Sequence, residues 1–200
     1  AWRLFGLRGK ATIAALITLL FIIIEGAIGA GLVLAELVAD DTSAARATVI
    51  VLHLTNTLML TAAGAATAYF SQNPHAPFRW TAQRGLLTIM GLGFILVSMS
   101  GAITALGDTL FPVQAAEHSG LLAQVTHELS VTQHFLVRLR IIHPILALIL
   151  GGFMIWAFDH LREHTAGKVA FVGMVLSISQ IGLGLLNVAL AAPGWMQLIH

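Results

Sequence analysis

Long apolar stretches separated by short polar loops dominate the chain. Five of them, near residues 12–35, 47–70, 84–107, 137–158 and 168–191, are long enough to cross a bilayer, because a spanning helix needs about 20 apolar residues. A further apolar segment begins at Trp195. From there to His200 it would rise only about 9 Å as helix, so it reads as the start of a sixth span. The pattern predicts an all-α integral membrane protein, a pseudosymmetric transmembrane helical bundle of five full spans plus the start of a sixth. The opening segment AWRLFGLRGK is basic and has no apolar core of the signal-peptide kind. It reads as a loop before a helix, and both ends are expected to continue into a longer chain.

Composition agrees with the pattern. Of 200 residues, 58% are hydrophobic and 10% are charged, whereas a soluble domain carries about 25% charged residues. The net charge of +1 excludes a nucleic-acid partner held by phosphate neutralisation. No cysteine is present, which removes disulfides, thiolate metal sites and iron–sulfur clusters. The nine histidines equal the acids in number, and in so oily a chain they point to a cofactor.

Basic residues in short loops mark the cytoplasmic side. Arg3, Arg8, Lys10, Arg79, Arg84, Arg162 and Lys168 fall on one side of the predicted bundle. The other side has Arg46, Arg138 and Arg140, together with Glu36, Asp40, Asp41, Asp108, Glu117 and Glu128. The N-terminal side is therefore predicted to be cytoplasmic and the acidic loops external.

The spans also repeat. EGAIGAGLVLAELVA closes the first and SQIGLGLLNVALAAP the fifth; pairing Gly29 with Gly184 pairs Glu25 with Gln180 and Val33 with Val188. A third copy, SGAITALGDTLFP, closes the third span. Each copy is followed by an outer loop and then a histidine near the outer end of the next helix: His53, His143 and His200.

That places three imidazoles at one depth, one to two turns below the outer surface. Ionisable groups inside a membrane are usually functional, and two histidines from facing helices can clamp a haem iron inside a bundle. Zinc or copper would recruit a carboxylate or thiolate as well. A single buried histidine is more often bonded to a backbone carbonyl; the repeated position tips the balance toward ligation. Arg138 and Arg140, just before His143, are candidate partners for haem propionates, with interfacial snorkelling the plainer reading.

His118, His127 and His134 read as residues of a solvated outer loop, and His75, His160 and His164 as inner-loop residues. Glu25 is the one acid deep in a predicted span, either a proton-handling group or a hydrogen-bond partner within the bundle. Asn56 lies one turn after His53 on the same face, and with Gln180 and Asn187 it is expected to bond between helices. Small pairs such as Gly26 with Ala30, Ser98 with Ala102 and Gly173 with Ser177 permit close helix packing. Pro144 leaves a carbonyl free one turn earlier, so a bend is expected there.

The segments EGAIGAGLVLAELVADD, VLHLTNTLML, SGAITALGDTLFP, HFLVRLRIIHPILAL and LNVALAAPGWMQLIH, in this order, resemble the haem A synthase family of cytochrome oxidase assembly. The resemblance covers nearly the whole chain. It implies an eight-helix protein in two pseudosymmetric halves, each offering two histidines. One half would hold a b-type haem as cofactor; the other would bind haem O and oxidise its C8 methyl to a formyl group. On this match the chain supplies helices three to eight. Residues 1–70 are the remaining part of the N-terminal half-bundle, with two spans, and 71–83 a cytoplasmic linker. Residues 84–200 are the C-terminal haem-binding half-bundle, with an outer loop at 108–133.

His143 and His200 would then ligate haem b, with Arg138 and Arg140 as further cofactor contacts. His53 and Asn56 would line the substrate site, with His53 a candidate ligand of the substrate iron. No catalytic residue is assigned: the family's catalytic glutamate and the histidine opposing His53 would precede Ala1, and Glu25 does not match that glutamate. The chain departs from the family in lacking a loop cysteine pair and in having Pro144 where Arg often follows the histidine.

The implied partners are haem O, the lipid bilayer, and haem O synthase or a respiratory or photosynthetic complex; the implied location is the bacterial plasma membrane. The competing readings are a non-catalytic haem-binding membrane subunit and a b-type cytochrome of an electron-transfer complex.

Overall fold

The computed structural model describes residues 6, 8–77, 80–112, 125–126, 128–164, 167–190 and 192–200. Their regular structure is all helix, with no strand among the described residues. The chain divides into two compact units, Ala1–Trp80 and Thr81–His200. The first contains α1 (Lys10–Leu34) and α2 (Ala44–Gln72). The second contains α3 (Ala82–Leu110), α4 (Phe135–Leu139), α5 (Ile142–His164), α6 (Gly167–Ala189) and α7 (Gly194–Ile199).

Five segments are long and apolar enough to cross a membrane, α4 and α5 together making one of them. Only 6–11% of each segment's most apolar window is buried within the chain. Leu20, Ile23, Leu92, Ile149 and Leu176 all stand more than half exposed. In water so many bare side chains would collapse or aggregate, whereas against acyl chains they are at home. The protein is a multi-pass integral membrane protein.

In the first unit α1 and α2 lie side by side along their length. Bonds between side chains tie them, such as Thr18 to Thr67 through their hydroxyls at 3.1 Å. In the absence of a hydrophobic drive between helices in lipid, such bonds and close packing hold them together. Ser43 caps α2, its hydroxyl accepting from the Arg46 amide at 3.1 Å, and Thr81 does the same for α3 from Arg84 at 3.3 Å. Both satisfy amides that have no partner within the helix.

The repeat is visible in the backbone. α1 ends with the Ala35 amide on the Gly31 carbonyl and the Leu37 amide on that of Leu32. α6 ends with Leu190 on Leu186 and Ala192 on Asn187. The register that pairs Gly29 with Gly184 also pairs every one of these donors and acceptors. The two copies thus share a helix-ending device.

In the second unit α5 packs against both α3 and α6, and α4 folds back on α3. Met90, Ala157, Leu161 and Ala170 form its buried cluster, with Leu86, Phe153 and Phe158 around them. Gly173 makes the α5–α6 approach possible: a Cβ there would stand 2.5 Å from the Phe158 ring. Gly26, by contrast, has open space beside it, so it does not serve the close packing expected of it.

The span that carries His143 is broken. α4 stops at Leu139 and α5 starts at Ile142. Pro144 has no amide to offer the Arg140 carbonyl, and the interruption falls at Arg140. One boundary differs from the sequence reading in a way that matters for the site. α3 runs on to Leu110, so Asp108 sits in its last turn.

Candidate functional site

His143, near the start of α5, and His200, immediately after α7, face each other with ring centroids 6.1 Å apart and planes at 63°. Two imidazoles bonded at about 2 Å to opposite sides of one metal ion stand about this far apart. Ser100 on α3 fixes the first ring. Its hydroxyl donates to the Val97 carbonyl at 2.7 Å, which uses its one hydrogen. Its oxygen therefore accepts from Nδ1–H of His143, 3.0 Å away, and the Nε2 lone pair is left for a ligand.

Glycine makes room for both rings. A Cβ at Gly101 would lie 3.0 Å from Cε1 of His143, and one at Gly184 would lie 2.9 Å from Cε1 of His200. Among the described residues no group of three or more His, Cys, Asp or Glu gathers to hold a bare ion. A facing pair suits a metal whose equatorial ligands arrive with it, as in haem. The donor set and the spacing fit that group.

The two arginines before His143 differ. Arg140 is buried, its Nε 2.9 Å from Asp108 Oδ1. Its terminal nitrogen donates to the Gly107 carbonyl at 2.6 Å and also to that of Phe111. The guanidinium thus closes the C-terminal end of α3, where a cation also suits the helix dipole. Gly107 allows this by bringing the two segments together, since a Cβ there would stand 3.1 Å from the Leu136 carbonyl oxygen. Arg138 is exposed and lines an open pocket of about 450 Å³ with Leu129, Phe135, Leu139, Ile141 and Ile142. Of the two, Arg138 has the free guanidinium for an anionic group.

In the first unit His53 lies on α2 with its ring partly exposed, yet its Nδ1 atom is buried. That nitrogen faces Glu25 Oε1 on α1 at 3.5 Å. The carboxylate is held from the other side by Asn56, whose Nδ2 donates to Glu25 Oε2 at 2.5 Å, and by the Thr57 hydroxyl. Asn56 Nδ2 also donates to the Phe21 carbonyl at 2.9 Å, so its donors are committed to α1. Asn56 is a helix–helix clamp beside His53. Sequence reasoning picked out His53, Asn56 and Glu25 separately. It missed Thr57 and Ser100, whose only signal was a hydroxyl one helical turn or one repeat position away from a chosen residue.

His134 caps α4 through Nδ1, accepting from the Leu136 amide at 3.3 Å, and stacks on Phe111 at 4.8 Å. His160 stacks on Trp156 at 5.9 Å. His118 and His127 lie outside the described residues, as do Arg3, Arg79 and Glu117.

The profile of the COX15-CtaA cytochrome oxidase assembly proteins matches residues 1–200. The chain belongs to this cytochrome oxidase assembly family. Two curated relatives, each named protoheme IX farnesyltransferase and coming from two strains of Thermus thermophilus, are 39% identical to it over 207 residues. The alignment takes in 100% of this chain and 33% of each relative, so the chain spans about a third of their length. No solved structure matches it. In this cytochrome oxidase assembly protein, His143 with His200 and His53 with Glu25 are the candidate sites.

Proposed function

We propose that this chain is the haem-handling part of a haem A synthase, oxidising the C8 methyl of haem O to a formyl group with a b-type haem as cofactor. The observation that carries the reading is the His143–His200 pair, 6.1 Å apart, each ring seated against a glycine. Family membership supports the wider role.

Balanced with water as the oxygen source, the conversion releases four electrons and four protons and needs a separate electron acceptor. Haem b supplies a one-electron relay when bound. The chain's own residues do the rest. His143 and His200 would hold the cofactor through their ring nitrogens, and Ser100 would keep Nε2 of His143 free of its proton. Arg138 pairs with a propionate, as guanidinium and carboxylate do. His53 offers Nε2 to the substrate iron, and the apolar faces of α1 and α2 exclude water from the macrocycle. The bundle lies in the bacterial plasma membrane with its N-terminal side cytoplasmic.

The Thermus relatives are named for farnesyl transfer to protohaem IX. This chain lacks the paired Asp-rich motifs that a prenyltransferase needs to bind diphosphate. We therefore place it at the step that consumes the farnesylated product, with the farnesyltransferase as partner. The test is pigment extraction from cells expressing variants of the complete protein. His53→Ala should retain haem b, stop haem A formation and let haem O accumulate. His143→Ala should lose the bis-histidine spectrum. Normal haem A in a stably folded His53→Ala strain would refute the substrate role.

A further inference from the structure

The repeat places two unlike side chains at one position. EGAI on α1 aligns with SGAI on α3, so Glu25 corresponds to Ser100. In each unit this residue faces Nδ1 of the histidine on the partner helix: Ser100 Oγ at 3.0 Å from His143, and Glu25 Oε1 at 3.5 Å from His53. Ser100 has given its hydrogen to Val97, so it meets His143 as an acceptor. The Glu25 carboxylate, already accepting from Thr57 and Asn56, faces His53 Nδ1 as a negative charge 3.5 Å away, without a hydrogen bond between them. Both arrangements favour the proton on Nδ1 and present Nε2 outward.

We propose that Glu25 is the positioning residue of His53, the counterpart of Ser100 at His143, and that its carboxylate makes His53 the stronger iron donor of the two. This rests on the reading of His53 as a haem ligand. A carboxylate accepting the Nδ1 hydrogen orients a metal-bound imidazole and raises its basicity. A hydroxyl with no charge orients the ring and does less to its basicity. The stronger donor favours ferric over ferrous iron, so the iron bound at His53 is the harder of the two to reduce. Asn56 and Thr57 keep the carboxylate aimed, which explains a committed cluster of polar groups deep in an apolar helix pair.

The experiment is an optical redox titration of the complete protein loaded with haem. Wild type is compared with His53→Ala, Glu25→Gln, Glu25→Ser and Ser100→Ala. His53→Ala identifies the haem component that His53 ligates; if it removes none, the underlying reading fails and the proposal with it. Given that component, Glu25→Gln and Glu25→Ser should move its midpoint potential upward and leave the His143–His200 component in place. Ser100→Ala should perturb only the latter. An unmoved potential and unchanged spectrum in both Glu25 variants, with His53 still ligating, would overturn the assignment of Glu25 alone. Should the Glu25 variants fail to fold, redox-difference infrared spectra of ring-labelled wild type decide. An Nδ1–H signal from His53 that shifts when the Glu25 carboxylate is neutralised by acid supports the proposal, and a His53 ring whose Nδ1 carries no proton overturns it.

Discussion

Arg140 and Asp108 form a buried ion pair, Nε to Oδ1 at 2.9 Å, with side chains only 7% and 9% exposed. They join the last turn of α3 to the break between α4 and α5, and so set where His143 enters the bundle. Removing one member of such a pair strands the other charge at a cost of about 3–5 kcal/mol. Asp108→Ala should therefore lower the thermal midpoint in detergent sharply. Replacing both residues, as in Asp108→Leu with Arg140→Met, should recover part of that loss, since the Gly107 and Phe111 carbonyls lose the Arg140 donor. A single variant as stable as wild type would show that the pair carries no weight.

The two arginines should separate in their effects. Arg138→Gln is expected to leave folding intact, because nothing is stranded when an exposed side chain changes. Its loss should weaken haem b retention by about tenfold, the value of one charge-assisted contact at roughly 1.4 kcal/mol. Competitive haem transfer to an apo acceptor measures it. Equal retention in the variant would remove Arg138 from the cofactor site.

Gly101→Val and Gly184→Val should each push an imidazole aside, since even a Cβ would stand 3.0 Å or less from Cε1. The expected result is an unchanged helical circular dichroism spectrum with haem b content, read as pyridine haemochrome per protein, reduced several-fold. Gly152→Ala on α5, a position with open space beside it, is the control that should keep its haem. Full haem content in both valine variants would mean that the rings sit elsewhere.

Asn56→Leu should loosen the α1–α2 pair, because it leaves one oxygen of Glu25 without its donor and removes the cross-helix bond to the Phe21 carbonyl. A loss of about 1–3 kcal/mol is expected for buried groups left unpaired, read as increased protease sensitivity of the first unit. Wild-type resistance would show that Asn56 is dispensable as a clamp.

The spans were legible in the sequence because lipid imposes a length and a hydropathy that few other settings require. The break at Arg140 was legible in Pro144, whose missing amide acts at a fixed offset. His53 and His143 were legible through the repeat. Contacts that depend on how one helix is rotated against another were not. Glu25 was visible as an acid deep in a span, but its aim at His53 depends on the facing register of α1 and α2. Arg140 looked like an external cation because the apolar pattern of α3 fades before Asp108; only the extra turn to Leu110 brings its partner within reach.

The thin burial of the spans has an evolutionary consequence. When about nine-tenths of a helix touches acyl chains or neighbouring helices rather than its own core, the choice among Leu, Ile, Val and Phe there answers to oiliness more than to shape. Such positions can drift freely. A saturation scan of α1, α3 or α6 should therefore tolerate almost any apolar exchange and reject charge. The intolerance to conservative change should gather at a few points: Glu25, Ser100 and Gly173 on these helices, and Asn56, His53, His143 and His200 on the segments that face them. Relatives would then diverge quickly in bulk sequence while keeping these points and their spacing.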